Sequence, residues 1–156
     1  MRIRKLAGAI FGTVLALFGA DLNAEFSDEW EAFAAETRAA CDAFEATLPP
    51  RTSASPVLVA EGRGYDWPRG APGRPHVCLY YKFTVGPDGK PQDVVLLYKG
   101  PENLHYRFVR SGKLAIEDRR YRPSDAAVGG DPSVITKFTI VTQPNWRYSW
   151  QTADIR

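Results

Sequence analysis

The sequence predicts an α+β domain: a small, mostly antiparallel sheet of three to four strands with a packed helix, preceded by an extra N-terminal amphipathic helix. Three observations predict it. Residues His76 to Gly100 read as strand, turn, strand. A helical segment and a second alternating run, Ser133 to Thr142, follow in that order. Upstream, Phe26, Trp30, Phe33, Thr37, Cys41, Phe44 and Leu48 recur at steps of four and three.

Met1 to Ala24 reads as a secretory signal. Arg2, Arg4 and Lys5 form a basic start, Leu6 to Ala20 is an uncharged apolar run, and Leu22-Asn23-Ala24 offers a cleavage site. The run is short for a membrane span, which takes about 20 residues. A cleaved leader places the rest in the periplasm; a retained one would anchor it in the inner membrane. The apolar stripe from Phe26 to Leu48 comes next. Ser27 or Asp28 suits its N-cap, and Pro49-Pro50 ends it. Cys41 lies on the stripe and faces whatever the helix covers. The stripe suits a partner or its own domain, and the second use brings Cys41 within reach of Cys78.

The chain of 156 residues is 44% apolar, enough for a packed core, and its net charge is +2. That small total hides two segments. Glu25 to Leu48 carries seven acids against Arg38, whereas Pro49 to Arg156 carries 16 basic residues against 10 acids. An acidic helix docked on a basic domain fits this division, as do two separately solvated faces. Cys41 and Cys78 are the two cysteines. In an exported protein such a pair is expected to form a disulfide, tying the helix to the first strand. The closed loop contributes up to about 4 kcal/mol in the chain-entropy model.

Arg51 to Pro56 is a polar linker and Val57 to Ala60 a short apolar run suited to an edge strand. Gly62 to Pro75 holds four glycines and three prolines, a density that excludes regular structure. Its Arg63, Arg69 and Arg74 make this loop basic. In the hairpin, Val77, Leu79, Tyr81, Phe83 and Val85 point one way and Cys78, Tyr80, Lys82 and Thr84 the other. Gly86-Pro87-Asp88-Gly89 supplies the turn. The second arm puts Val94, Leu96 and Tyr98 on one face, Val95 and Leu97 on the other. Pro101-Glu102-Asn103 suits a helix start. Leu104, Phe108, Ala115 and Ile116 give that helix an apolar side interrupted by Gly112, and Arg119, Arg120 and Arg122 give it a basic end before Pro123. Ala126 to Pro132 is a turn. Ser133 to Thr142 is apolar on both faces, as a central strand is. Trp146, Tyr148 and Trp150 follow at period two, as a fourth strand or an aromatic tail across the sheet. The predicted organisation is a leader over 1–24, the acidic helix over 25–50, linker and loop over 51–76 and the main domain over 77–156.

The run from Phe83 to Leu97, the segment Arg119 to Pro123 (RRYRP), a glycine turn and the strand Val134 to Ile140 (VITKFTI) together resemble the TonB C-terminal domain family. Asp88 and Gly89 match its acidic-glycine turn, and Arg120, Tyr121 and Pro123 match its helix end, with tyrosine for the more usual phenylalanine. Trp67-Pro68 matches the position of a tyrosine-proline before the first strand. Arg119 stands where the family usually has an aromatic, the acidic helix is not part of the family pattern, and Pro49-Pro50 is no counterpart of the long proline-rich spacer that its energy transducers carry. The resemblance implies a periplasmic domain that binds an envelope protein, such as an outer-membrane receptor, by strand addition. With the leader retained it also implies an energy transducer. The candidate partner-binding residues are then Val134, Thr136, Phe138, Ile140, Trp146, Tyr148 and Trp150, unless the aromatics complete this chain's own core.

Nothing in the spacing points to catalysis. His76 and His105 stand apart and lack metal-ligand spacing, and no nucleophile elbow, phosphate-binding glycine loop or zinc-protease motif occurs. The expectations are no enzyme, no cofactor, no metal and no nucleic-acid partner. A structural accessory protein whose sheet edge is blocked by its own tail is the alternative to a binding module.

Overall fold

The computed structural model describes residues 10–50, 55–70, 74–125, 131–142 and 147–155, with side chains from residue 28 onward. Helix α1 spans Ile10–Ala46 and strand β1 Val57–Ala60. Strands β2, His76–Val85, and β3, Pro91–Gly100, form the hairpin. Helix α2 is Tyr106–Glu117, β4 is Arg120–Arg122, β5 is Ser133–Thr142 and β6 is Tyr148–Asp154. The main sheet is antiparallel throughout in the order β3-β2-β5-β6, and β1 pairs with β4 in a separate two-stranded ribbon. The chain is therefore α+β, with α1 on one face of the sheet and α2 and the ribbon on the other.

The hairpin's alternation sets both faces. Val77, Leu79, Tyr81, Phe83 and Val85 join Phe108, Ile116, Tyr121, Phe138 and Ile140 in the larger core under α2. Each large apolar side chain sealed there contributes roughly 2 kcal/mol. On the opposite face Cys78 and Tyr80 pack with Cys41, backed by Phe44, Leu48, Tyr98 and Ile155. The stripe on α1 accounts for this contact: Ala34, Thr37 and Cys41 are buried, and Trp30, Phe33, Phe44 and Leu48 are half-buried. Cys41 and Cys78 form a disulfide with Cα atoms 6.3 Å apart. Opposite charges meet as well, with Lys137 Nζ 2.7 Å from Glu45 Oε2.

Four details depart from the sequence reading. Helix α1 begins at Ile10, so Ser27 and Asp28 lie inside it; no proline separates the alanine- and leucine-rich run from the acidic stripe. Residues 1–9, part of the polar linker and much of the glycine turn at 126–130 lie outside the described residues. No helix among the described residues is long and apolar enough to cross a membrane.

The second departure is in β3. Tyr80 pairs with Tyr98 but Tyr81 with Leu96, so a bulge at Leu97 turns Tyr98 away from Val94 and Leu96 and toward α1, where it stacks on Phe44 with ring centroids 4.5 Å apart. Third, α2 starts later than Pro101. His105 is its N-cap, its Nδ1 accepting from Arg107 N at 3.3 Å, while Pro101 closes a turn to Leu104. Gly112 does not break α2; it lets the helix approach β2, since an added Cβ would sit 2.7 Å from the Tyr81 hydroxyl. Fourth, the basic residues after α2 are not its end. Asp118 caps the helix, and Arg120–Arg122 turns into β4, with Tyr121 buried between two exposed arginines. Pairing with β1 supplies the ladder that a helix would have supplied.

Candidate functional site

The strand singled out for partner binding lies inside the sheet. β5 is bonded to β2 on one side and β6 on the other, and the Val134, Thr136, Phe138 and Ile140 side chains are all at most 1% exposed. These four build the core and leave no edge for a partner on β5. The aromatic segment after them forms β6, the outer strand. Trp150 lies opposite Ile140, its ring against Gly64, where a Cβ would come within 2.8 Å. Tyr148 lies opposite Thr142, is 44% exposed and stacks on Trp67 with centroids 4.4 Å apart. Trp67 in turn meets Phe108 of α2 edge-on at 5.1 Å. Trp146 lies outside the described residues. Along 149–153 the outer side of β6 faces no other strand among the described residues. The opposite edge, β3, is less receptive: it starts at Pro91 and carries two bulges, one beside Asp93 at φ 54°.

No family model, curated protein or solved structure matches this chain.

The far end of β6 is fixed by a buried ionic cluster. Arg119 is 2% exposed. Its Nη1 lies 3.3 Å from Asp154 Oδ1, 3.3 Å from Thr136 Oγ1 and 3.4 Å from the Tyr121 hydroxyl, and its Nη2 donates to Thr152 Oγ1 at 2.6 Å. The guanidinium also lies 5.2 Å from the Phe138 ring centre. Asp154 Oδ1 accepts from the Thr136 and Tyr121 hydroxyls too. Burial first, and then the Asp154 charge, push the Tyr121 hydroxyl up to about 12, so it stays a donor at neutral pH. A charge pair this deep requires nearly full hydrogen bonding, and the cluster provides it. Sequence reasoning missed Asp154 and Thr152. One signal was present: Arg119 occupies a position where an aromatic was expected.

Two of the residues that carry the resemblance, Gly89 and Tyr121, meet in space. The amide of Tyr121 donates to the carbonyl of Gly89 at 2.8 Å, joining β4 to the hairpin turn. Gly89 is at φ 75°, and any side chain there would strike the Tyr121 carbonyl. Asp88 accepts from the Lys90 amide at 3.1 Å, which holds its carboxyl below the usual range. Pro123 follows β4 without regular structure.

Under α1, the Tyr80 hydroxyl lies 3.0 Å from Glu45 Oε2 and 3.1 Å from the Cys41 carbonyl. Burial raises it to about 12 against the pull of Lys137. Burial works to lower Lys137, but its hydrogen bonds to Glu45 and Tyr80 outweigh it and raise the group. His76 is buried at the start of β2, and its Nδ1 has no hydrogen-bond partner among the described residues. Burial, then Arg38 and Lys137, lower it, with Asp42 opposing. These groups act as contacts between α1 and the sheet.

The depressions among the described residues include two beside these elements. One of about 120 Å³ is lined by Arg63, Gly64, Asp66, Ser111, Leu114, Ala115 and Asp118, and within it Arg63 Nε pairs with Asp118 Oδ2 at 3.1 Å. The other, about 260 Å³, is a shallow apolar hollow beside Val95 and Leu97. Among the described residues no three His, Cys, Asp or Glu side chains gather closely enough to hold a metal ion.

Proposed function

We propose that the chain is an exported periplasmic protein-binding or adaptor module of TonB C-terminal-like type, which takes up an extended segment of an envelope protein by strand addition and performs no catalysis. The observation that carries this reading is β6. It is an outer strand whose seven residues hold register along β5, whose far end is fixed by the Arg119 cluster and whose near end carries the Trp67–Tyr148 stack. An added strand would gain backbone hydrogen bonds along its length, each contributing about 1 kcal/mol net, with side-chain contacts supplying specificity. The disulfide supports export, because such bonds persist in oxidising compartments. An outer-membrane receptor as partner, and membrane attachment through the leading segment, rest on the resemblance alone.

The second reading is a structural accessory protein of the envelope. One observation favours it: β6 itself covers the edge of β5. Hydrogen exchange separates the two. Heptapeptides selected from a displayed random library should protect alternate amides of 148–154 and leave β5, already bonded on both sides, unchanged. Selected peptides that protect only α1, or protect nothing, would remove the binding reading in favour of the accessory one.

A further inference from the structure

A strand added beside β6 has two faces with different surroundings. Side chains on one face lie alongside Ser149, Gln151 and Ala153, which are exposed and uncharged. Those on the other lie alongside Tyr148, Trp150 and Thr152, next to the loop at 62–70 and the start of α2. That second side is basic and aromatic. Trp67 bridges Tyr148 and Phe108. Arg107, beside Phe108, donates from Nη1 to the Arg69 carbonyl at 2.6 Å and so holds the loop against the helix. Arg69, Arg107 and Arg110 are exposed, and Arg147 precedes Tyr148. The nearby acids are Asp66 in the same loop and Glu102 before α2. Arg69 and Arg107 thus flank the loop and helix that carry Trp67 and Phe108, beside a half-exposed aromatic stack at one end of a strand edge that faces no other strand among the described residues.

We propose that this surface selects an acidic extended segment: a strand whose carboxylates project on the α2 side toward Arg69 and Arg107, with one aromatic or apolar side chain against the Trp67–Tyr148 stack and uncharged residues on the other side. The inference rests on strand addition at β6 and names the partner's chemistry. Arginines around an aromatic platform also suit single-stranded nucleic acid. The uncharged far side and the backbone edge beside the platform favour a peptide, since a nucleic acid uses neither.

Fluorescence anisotropy on the full chain tests this with four labelled ligands. They are Thr-Glu-Thr-Tyr-Thr-Glu-Thr with blocked ends, the same peptide with lysine for glutamate, the glutamate peptide with proline at its central threonines, and a ten-residue oligothymidylate. The glutamate peptide should bind at least about tenfold more tightly than the lysine peptide, with affinity falling as salt rises. The proline peptide, which keeps the charge and loses backbone donors, should bind far more weakly. Arg69→Glu with Arg107→Glu should reverse the glutamate–lysine preference, and Arg69→Glu alone should shift it the same way if the double variant does not fold. Equal binding of the glutamate and lysine peptides overturns the acidic selection and leaves strand addition standing. Equal binding of the proline peptide, or no peptide binding at all, overturns both. Tighter binding of the oligothymidylate overturns the peptide assignment.

Discussion

Removing the Asp154 carboxylate tests the buried cluster most directly. In Asp154→Ala, the Arg119 guanidinium, 2% exposed in the wild type, loses its counter-charge, and the Thr136 and Tyr121 hydroxyls lose an acceptor. Nη2 keeps its bond to Thr152. Water cannot readily replace what is lost, because Phe138 closes the site from beneath. Stranding one partner of a buried pair costs about 3–5 kcal/mol. At a urea slope of about 1.5 kcal/mol/M this moves the unfolding midpoint down by about 2 M or more with the slope unchanged. The double variant Arg119→Met with Asp154→Leu removes both charges and keeps the volume, so it should recover most of the loss. Circular dichroism in urea measures all three proteins. A loss below about 1 kcal/mol in Asp154→Ala, or a double variant as unstable as the sum of its singles, would falsify the account of Arg119 and Asp154 as a desolvated, mutually dependent pair.

Cys41→Ser with Cys78→Ser opens a crosslink between positions 37 residues apart, so stability should fall by up to about 4 kcal/mol, with amides of 28–46 losing exchange protection before those of β2 and β5. Gly112→Ala forces a methyl group to within 2.7 Å of the Tyr81 hydroxyl, which is fixed by a 2.6 Å bond to the Val109 carbonyl; thermal unfolding should show a cost of about 1–3 kcal/mol in place of the usual gain from alanine in a helix. His76 is lowered below its ordinary 6.5 by burial beside Arg38 and Lys137, with Asp42 opposing, so the unfolded chain takes up the proton first. Its contribution is therefore intact above about pH 6.5 and lost as pH falls below it, and the urea midpoint should drop more between pH 7.5 and 5.5 in the wild type than in His76→Gln.

The strands and α1 were legible because their side chains alternate or recur with a period that burial imposes. Val77 to Val85 shows period two because one face meets Phe108 and Ile116, and Trp30 to Leu48 shows the helical period because that stripe meets Cys78, Tyr80 and Tyr98. The disulfide was legible from the same stripe. What stayed hidden depends on register and on long-range partners. Tyr98 changed face through one inserted residue, Leu97, and nothing local marks a bulge there. Arg120–Arg122 looked like a helix end because β1, its partner, lies about 60 residues upstream. The two apolar faces of Ser133 to Thr142 mark it as the central strand it is; its choice as the binding strand rested on the family resemblance, and nothing in its residues supports an edge there. Asp154 carried no signal at all: its meaning comes from Arg119, 35 residues away.

The two cores differ in what they can sustain, and this bears on why α1 carries a crosslink. The larger core joins α2, the ribbon and all four strands of the sheet through side chains such as Phe83, Phe108, Phe138 and Ile140, with Trp150 packed on from β6. It closes without α1. The smaller core has three fully buried members, Cys41, Cys78 and Tyr80, and two of these are the disulfide itself. Packing of that size holds a helix weakly. The crosslink, the Glu45–Lys137 pair and the bond from the Trp30 indole to the Thr142 carbonyl at 3.3 Å therefore act together as the attachment of α1. The attachment lies over β2 and β3 and reaches β5 through Lys137 and Trp30, so the face that α1 covers stops short of the outer side of β6. Among the described residues, α1 thus seals the apolar face around Tyr80 and Tyr98, while along 149–153 the outer side of β6 faces no other strand, and the strand addition proposed above depends on that edge.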